Sequence, residues 1–187
     1  MRRNRSAVVP ICSLTVMLVG LGSAHGAALF QSAQTFGSGA KTPVSIAVGD
    51  MNGDGKPDVI VFNECTATNC DGTVGILLGN GDGTFQAAKT FDSGLTFAAS
   101  IAVADINGDS KLDVVAMSGA SCGRPECLSY FSVMFGNGDG TLGPWHKYST
   151  GSYESRSMEL ADLNHDGKLD VVVGSLCYIP FVKETVR

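Results

Sequence analysis

Residues 50–58 read DMNGDGKPD and lead directly into the apolar segment VIV at 59–61. The same pattern returns as DINGDSKLD at 105–113 and as DLNHDGKLD at 162–170. The three copies begin 55 and then 57 residues apart. A segment that recurs at a nearly fixed spacing indicates a repeat protein, in which each copy forms one unit of supersecondary structure.

The segments that flank these copies recur with them. They are SIAVGD at 45–50 and SIAVAD at 100–105, FQSAQTF at 30–36 and FQAAKTF at 85–91, and GNGDGT at 79–84 and again at 136–141. The third copy stops after DVVV at 170–173, because residues 176–187 match no part of the repeat. We therefore predict repeats over about residues 30–84, 85–141 and 142–187, of which the last is truncated.

Each complete copy predicts four short strands. In the first copy they are residues 44–48, 58–62, 73–78 and 85–91, and an Asn-Gly-Asp-Gly turn precedes the fourth. A period near 50 with four strands is typical of one propeller blade. The sequence therefore predicts an all-β fold of β-propeller-type blades, each of four antiparallel strands. About two and a half blades make an incomplete ring, since closed propellers need about four to eight.

The first 24 residues predict a secretory signal peptide. Residues 1–5 are basic, residues 7–21 are apolar, and residues 22–24 (GSA) are small, as a cleavage site requires. A membrane anchor is the alternative, but this apolar run is shorter than the ~20 residues that span a bilayer. We expect a mature repeat domain over residues 25–187 without stable membrane insertion. It would be secreted, outside the cell or at its surface, or in a periplasm.

Cysteine spacing fits export. Cys65 and Cys70 are five residues apart, and so are Cys122 and Cys127. The simplest scheme in an oxidising compartment joins the two members of each pair in a disulfide bond, with reduced, buried thiols as the alternative. Cys177 stands at the corresponding place in the third copy, where no partner follows.

The charge balance limits the class of partner. The formal net charge is -5, and only 17% of the residues are charged. Phosphate binding needs clustered Lys and Arg, so nucleic acid is excluded as a partner. A negative chain with regularly spaced aspartates suits cations instead.

Oxygen-bearing side chains stand at positions 1, 3, 5 and 9 of each aspartate-rich loop, and the backbone carbonyl at position 7 can add a further ligand. Calcium prefers six to eight such hard oxygens, whereas magnesium demands a stricter octahedron and zinc prefers Cys and His. Glycine at position 6 (Gly55 and Gly167) permits the positive φ that the turn needs. The predicted Ca2+ ligands are Asp50, Asn52, Asp54, Lys56 and Asp58 in the first loop, Asp105, Asn107, Asp109, Lys111 and Asp113 in the second, and Asp162, Asn164, Asp166, Lys168 and Asp170 in the third.

These loops differ from EF-hand loops, which carry an acidic residue at position 12 and lead into a helix. Position 12 is Val61, Ala116 or Val173 here, and a predicted strand follows in each copy. Turns that are merely rich in Asp and Asn remain the alternative to a metal loop. The second motif, with Asp82 and Asp139, is assigned to turn formation, because Asn-Gly and Asp-Gly turns need no metal.

The pattern IAVGDMNGDGKPDVIV at 46–61, followed by GILLGNGDGTF at 75–85, resembles the FG-GAP/VCBS repeat family, whose repeats are similar to the propeller of integrin α subunits. The resemblance covers about residues 30–174 and describes an incomplete member. It implies propeller blades, calcium at the loop positions named above, and extracellular roles, often in adhesion or glycan binding. Ser110 replaces the glycine of the pattern, so we expect the second loop to bind calcium more weakly.

We expect a non-catalytic, calcium-binding module that binds or adheres to an extracellular glycan or protein. Three scattered histidines form no catalytic constellation, so an enzyme is not expected. Trp145 is expected to pack against a neighbouring blade rather than to form a sugar platform. Two alternatives stay open: a propeller scaffold of a secreted polysaccharide-acting enzyme, and a truncated fragment without a function of its own. Open blade edges make self-association a further expectation.

Overall fold

The computed structural model describes residues 13–16, 33–65, 71–119 and 128–176. Their regular structure consists of strands alone. These are β1 (Ser13–Val16), β2 (Gln34–Gly37), β3 (Lys41–Gly49), β4 (Asp58–Cys65), β5 (Asp71–Leu77), β6 (Lys89–Thr96), β7 (Ala98–Ala104), β8 (Asp113–Ser118), β9 (Leu128–Gly136), β10 (Leu142–Ala161) and β11 (Asp170–Leu176).

The strands pair in sequence order, which is the arrangement predicted for propeller blades. β3, β4, β5 and β6 form one antiparallel sheet, the first blade. β7, β8, β9, β10 and β11 form a second antiparallel sheet, and β1 pairs with β2 in a separate ribbon. These described strands do not close into a ring. The predicted all-β fold with an incomplete ring is therefore confirmed.

β10 belongs to two blades. Its first part, from Leu142, pairs with β9 as the last strand of the second blade, and its second part, to Ala161, pairs with β11 as the first strand of the third. The change of blade falls at Glu154, whose φ is 45°. Phe97 has the same place in the repeat and a φ of 57°, and it alone separates β6 from β7. In both of these connections, the chain thus passes to the next blade at a single residue with a left-handed backbone.

The fourth strand of the first blade begins later than predicted. The prediction placed it at residues 85–91, but β6 spans Lys89–Thr96. Phe85 forms only an isolated bridge with Gly79, and the backbone nitrogen of Gln86 donates to the oxygen of Leu78 at 2.8 Å. The hairpin turn therefore ends in these bonds before the regular ladder with β5 begins.

Apolar side chains fill the spaces between neighbouring blades. Both faces of β4 are covered, so Val59, Ile60, Val61 and Phe62 are all buried, as expected of a continuous apolar run. Full burial of such side chains contributes about 1.5–3 kcal/mol each relative to exposure. The core between the first and second blades contains Met51, Ile60, Phe62, Val74, Ile76, Leu78, Leu95, Ile101, Val114, Ala116, Met134 and Leu142. The core between the second and third blades contains Val115, Met117, Val133 and Met158.

Some predictions fall on residues that the structure does not describe. Only Ser13–Val16 of the predicted signal peptide is described, as β1. The predicted disulfides, Cys65–Cys70 and Cys122–Cys127, involve side chains outside the described part, and so does Cys177. Among the residues that the structure does describe, none forms a helix with the length and apolar character needed to span a bilayer.

Candidate functional site

The first aspartate-rich loop connects β3 to β4, and its polar side chains turn inward onto the loop's own backbone. Asp50 accepts hydrogen bonds at Oδ2 from the nitrogen of Gly55, at 2.8 Å, and at Oδ1 from that of Asp54, at 3.1 Å. Oδ1 of Asn52 accepts from the same Asp54 nitrogen at 3.1 Å. Oδ1 of Asp54 accepts from the nitrogen of Lys56 at 2.9 Å. The oxygens at positions 1, 3 and 5 therefore line a single tight turn.

The second and third loops repeat these contacts despite their different sequences. In the second, Asp105 accepts from the nitrogens of Ser110 (2.8 Å) and Asp109 (3.1 Å), Asn107 from that of Asp109 (2.9 Å), and Asp109 from that of Lys111 (2.9 Å). In the third, Asp162 accepts from the nitrogens of Gly167 (2.9 Å) and Asp166 (3.2 Å), Asn164 from that of Asp166 (2.9 Å), and Asp166 from that of Lys168 (2.9 Å). The three loops thus share these contacts, and the second loop adds one, in which the nitrogen of Gly108 donates to Oδ1 of Asp105 at 2.7 Å.

Two positions of the loop need a left-handed backbone. At position 6 the φ angles are 79° for Gly55, 66° for Ser110 and 83° for Gly167, which confirms the conformation predicted for that position. Position 4 also has positive φ, at Gly53, Gly108 and His165. This second position was not predicted from the sequence, although glycine in two of the three copies was the available signal. The second loop is therefore strained at position 6 and the third at position 4.

In the first two loops the aspartate at position 9 differs from the other loop aspartates, because it begins a strand, β4 or β8, and is fully buried. Asp58 accepts at Oδ2 from the nitrogen of Met51 and at Oδ1 from that of Gly79, both at 2.8 Å. Asp113 makes the equivalent bonds to Ile106, at 3.0 Å, and to Gly136, at 2.8 Å. A buried carboxylate is tolerated because charge-assisted bonds to backbone N–H groups replace its hydration. This residue ties the loop to the hairpin that follows β5 or β9.

The third loop has less support at position 9. Oδ2 of Asp170 accepts from the nitrogen of Leu163 at 3.1 Å, and the carboxylate is partly exposed. The described part of the chain offers no second donor equivalent to Gly79 or Gly136, because it includes no third strand in the third repeat. The third loop is consequently held at one point where the others are held at two.

The donor chemistry of the loops fits calcium. Every predicted side-chain ligand ends in oxygen, and Oδ1 of Asp50 and of Asn52 lie at the same distance, 3.1 Å, from one nitrogen. A carboxylate oxygen that accepts a single N–H retains a lone pair for a cation. Among the described residues, no three or more His, Cys, Asp and Glu side chains are arranged so that together they could hold a metal ion. The ligand set therefore remains a prediction.

Lys56, at position 7, joins the first loop to the neighbouring hairpin turn. Its Nζ lies 3.5 Å from Oδ2 of Asp54, an exposed ion pair of the kind that contributes little to stability. Its stem lies over Gly81, where an added Cβ would stand 3.1 Å from Cδ of Lys56, and Lys111 covers Gly138 in the same way. The hydrogen bond from the backbone N–H of Lys56 holds the pKa of Asp54 below its usual value.

The Asn-Gly-Asp-Gly turns are held by their own side chains, in agreement with their assignment to turn formation. Asp82 accepts at Oδ1 from the hydroxyl of Thr84, at 2.6 Å, and from its backbone nitrogen, at 2.9 Å. Asp139 accepts the same pair of bonds from Thr141. The threonine hydroxyl is the largest cause of the lowered pKa of each aspartate.

The first two loops share one rim of the molecule. The nitrogen of Gly140, in the turn of the second blade, donates to the oxygen of Met51, in the first loop, at 3.1 Å. A cleft of about 170 Å³ lies beside this contact. It is lined by Asp50, Met51, Gly53, Ser110, Lys111, Leu112, Asn137 and Gly138. Neighbouring blades therefore present their loops side by side.

Trp145 packs against the neighbouring blade, as predicted. A Cβ built on Gly94, in the last strand of the first blade, would stand 2.4 Å from Cδ2 of the indole. Nζ of Lys147 lies 3.4 Å from the oxygen of Gly94, close enough to donate a hydrogen bond. The outer strands of the two blades are thus held together at Gly94.

Family models match the repeats that carry the loops. A model described as FG-GAP-like repeat matches residues 63–116 and 123–173, which contain the second and third loops, and a model described as FG-GAP repeat matches residues 42–64, which contain the first. The matches to the first model alone cover more than half of the chain. No curated protein matches the sequence.

Proposed function

The chain belongs to the FG-GAP repeat family, and from that membership we propose that it is an exported, calcium-stabilised binding module without catalytic activity of its own. Repeats of this family suggest propeller-type modules for binding or adhesion. The proposed ligand is an extracellular glycan or protein, bound by loops on the rim of the blades. Export is proposed on the basic and then apolar composition of residues 1–21.

One observation carries the calcium proposal. Three loops that differ in sequence at positions 2, 4, 6 and 8 keep Asp, Asn, Asp and Asp at positions 1, 3, 5 and 9. Turn formation alone explains the polar character of such loops, but it does not require a carboxylate at both position 1 and position 5. A hard divalent cation does require the negative charge of both carboxylates, because a small number of neutral oxygens does not compensate for the hydration shell that the ion loses.

Calcium bound in these loops would act on the fold itself. Each loop joins the first two strands of a blade, so an ion in the loop fixes the hairpin and its binding energy becomes folding energy. A ligand present at 100 times its dissociation constant stabilises the folded state by about 2.7 kcal/mol for each site. The ion would also offset the mutual repulsion of the loop carboxylates.

The proposal is tested by thermal unfolding in calcium and in a chelator, together with isothermal titration. We expect a higher melting temperature in calcium and a loss of binding in Asp50→Asn, which removes a carboxylate from the first loop. Asp82→Asn is the matched control, because Asp82 lies in a hairpin turn outside the predicted ligand set. Equal melting temperatures in calcium and chelator would refute calcium stabilisation, and so would equal effects of the two substitutions.

Export has its own test. The chain is expressed in a host with a secretion pathway, and the amino-terminal residues of the secreted protein are determined. We expect the mature protein to begin after Ala24. A protein that stays in the cytosol with Met1 intact would contradict export and leave calcium binding to be judged by titration.

A further inference from the structure

One apolar position has a different environment in the first blade than in the others. Ile46, Ile101 and Met158 each stand four residues before the first aspartate of their loop. Ile101 is 6% exposed and Met158 is 7% exposed, because each packs against the preceding blade, whereas Ile46 is 54% exposed. Val44 and Val48, on the same side of β3, are also exposed. These three side chains form the leading face of the molecule.

The last described blade shows the converse difference. Ile60, Val115 and Val172 each stand ten residues after the first aspartate of their loop. Ile60 and Val115 are fully buried, at 0% exposure, because the next blade covers them, whereas Val172 is 40% exposed. Val172 pairs with Glu159 of β10, which is also exposed. We call Val172 and Glu159 the trailing face.

The leading and trailing faces are equivalent to the two surfaces that meet between neighbouring blades of the chain. Such surfaces meet twice, between the first and second blades and between the second and third. Ile101 of β7 and Ala47 of the blade before it belong to one packed core, and the nitrogen of Ile101 donates to Oγ of Ser45 at 3.2 Å. Met158 of β10 and Ala102 of the blade before it likewise belong to one packed core. Ile46 has the position of Ile101 and Met158, and Glu159 has that of Ala47 and Ala102. Val59 and Val61 of β4 share the side of Ile46 and are covered by Phe36 of β2, so the open part of the leading face is the row of exposed side chains on β3.

We propose that the leading face of one copy of this chain binds the trailing face of a second copy, head to tail. The contact continues the interface between blades across two molecules, and the side chains that would meet are those that meet within the chain. Such a heterologous contact closes into a ring when the rotation between copies permits.

Glu159 sets the strength of this contact. The position holds alanine in the two internal copies, Ala47 and Ala102, and a carboxylate that loses water against an apolar face is costly. We therefore expect association to be reversible at micromolar concentration and to tighten at least tenfold in Glu159→Ala. The proposal does not depend on calcium, so it stands or falls separately from the proposed function.

The test is sedimentation velocity on the full chain over a range of concentrations. We expect twice the mass of one chain for the unaltered protein. Ile46→Glu, on the leading face, and Val172→Glu, on the trailing face, should each weaken association at least tenfold. Leu163→Glu is the matched control, because Leu163 is equally large and apolar and is 66% exposed but lies in the third loop, outside both faces. All of these side chains are exposed, so circular dichroism should show unchanged folding.

Mixing the two variants tests the direction of the contact. An equimolar mixture of Ile46→Glu and Val172→Glu should form dimers, because one intact leading face then meets one intact trailing face. An unaltered chain that stays monomeric at every concentration would overturn the proposal. Loss of association in Ile46→Glu but not in Val172→Glu would also overturn it, since that result indicates a head-to-head contact.

Discussion

Asp58 and Gly79 are 21 residues apart, yet the backbone nitrogen of Gly79 donates a hydrogen bond of 2.8 Å to Oδ1 of Asp58. The same bond joins Gly136 to Asp113 in the second repeat, also at 2.8 Å. The loop that starts a blade is thereby connected to the turn that leads to its last strand. Conformational order in one should therefore depend on the other.

The backbone at Gly79 lies so close to the backbone of Pro57 that glycine is required there. A Cβ at Gly79 would stand 2.2 Å from the backbone oxygen of Pro57, and backbone cannot move aside as a flexible side chain can. We expect Gly79→Ala to lower the free energy of unfolding by roughly 3 kcal/mol, from overpacking and the loss of a charge-assisted hydrogen bond. Urea unfolding measures the change. In Gly143→Ala, the control, the new Cβ would lie 3.5 Å from Phe135, and we expect little effect. Similar losses in the two variants would contradict the argument.

Asp58 and Asp170 share position 9 but differ in how they are held. Asp58 is buried with two backbone donors, whereas the described residues give Asp170 one donor and partial exposure. Asparagine would turn an N–H group toward a backbone N–H at Asp58. We expect Asp58→Asn to cost roughly 2–3 kcal/mol and Asp170→Asn less than about 1 kcal/mol. Both are measured by urea unfolding in a chelator, which removes any contribution from bound cations. A larger loss at Asp170 than at Asp58 would show that burial is not the deciding factor.

Local features of this fold could be predicted from the sequence, and contacts between distant segments could not. The recurrence of loop and strand patterns predicted the blades and the positive φ at Gly55, because each depends on residues close together in the chain. The two donors of buried Asp58 could not be foreseen, since one of them comes from Gly79 across two strands. The later start of β6 follows from hydrogen bonds that close the preceding turn, and neither propensity nor apolar spacing reports those bonds.

Ser110 carries strain that glycine would relieve. Its φ is 66°, in the left-handed region, which costs a residue with a Cβ about 1–2 kcal/mol. We expect Ser110→Gly to raise the free energy of unfolding by about 1 kcal/mol and, by the proposed function, to raise the calcium affinity of the second loop. Gly55→Ser is the reciprocal variant, because an added Cβ at Gly55 meets nothing within 4 Å and only φ opposes it. Gly55→Ser should lower the free energy of unfolding and the calcium affinity of the first loop by about as much as Ser110→Gly raises those of the second. Melting curves and calorimetric titration measure the two changes. Stability changes of the same sign would contradict the explanation.

The hairpin turns predict a defined response to acid. The hydroxyl of Thr84 is the largest cause of the lowered pKa of Asp82, which lies below the ordinary value of 3.8. A carboxyl group whose pKa is lower in the folded protein stabilises it above the unfolded pKa, and that stability is lost as the pH falls through the folded pKa. Thr84→Val removes the hydroxyl and should raise the pKa of Asp82 toward 3.8, as followed by NMR titration of the carboxyl carbons. Asp139, held by Thr141 in the equivalent turn, is the internal control and should titrate as before. An unchanged pKa at Asp82, or a parallel rise at Asp139, would assign the lowered pKa to the charge of the whole molecule instead of to one hydroxyl.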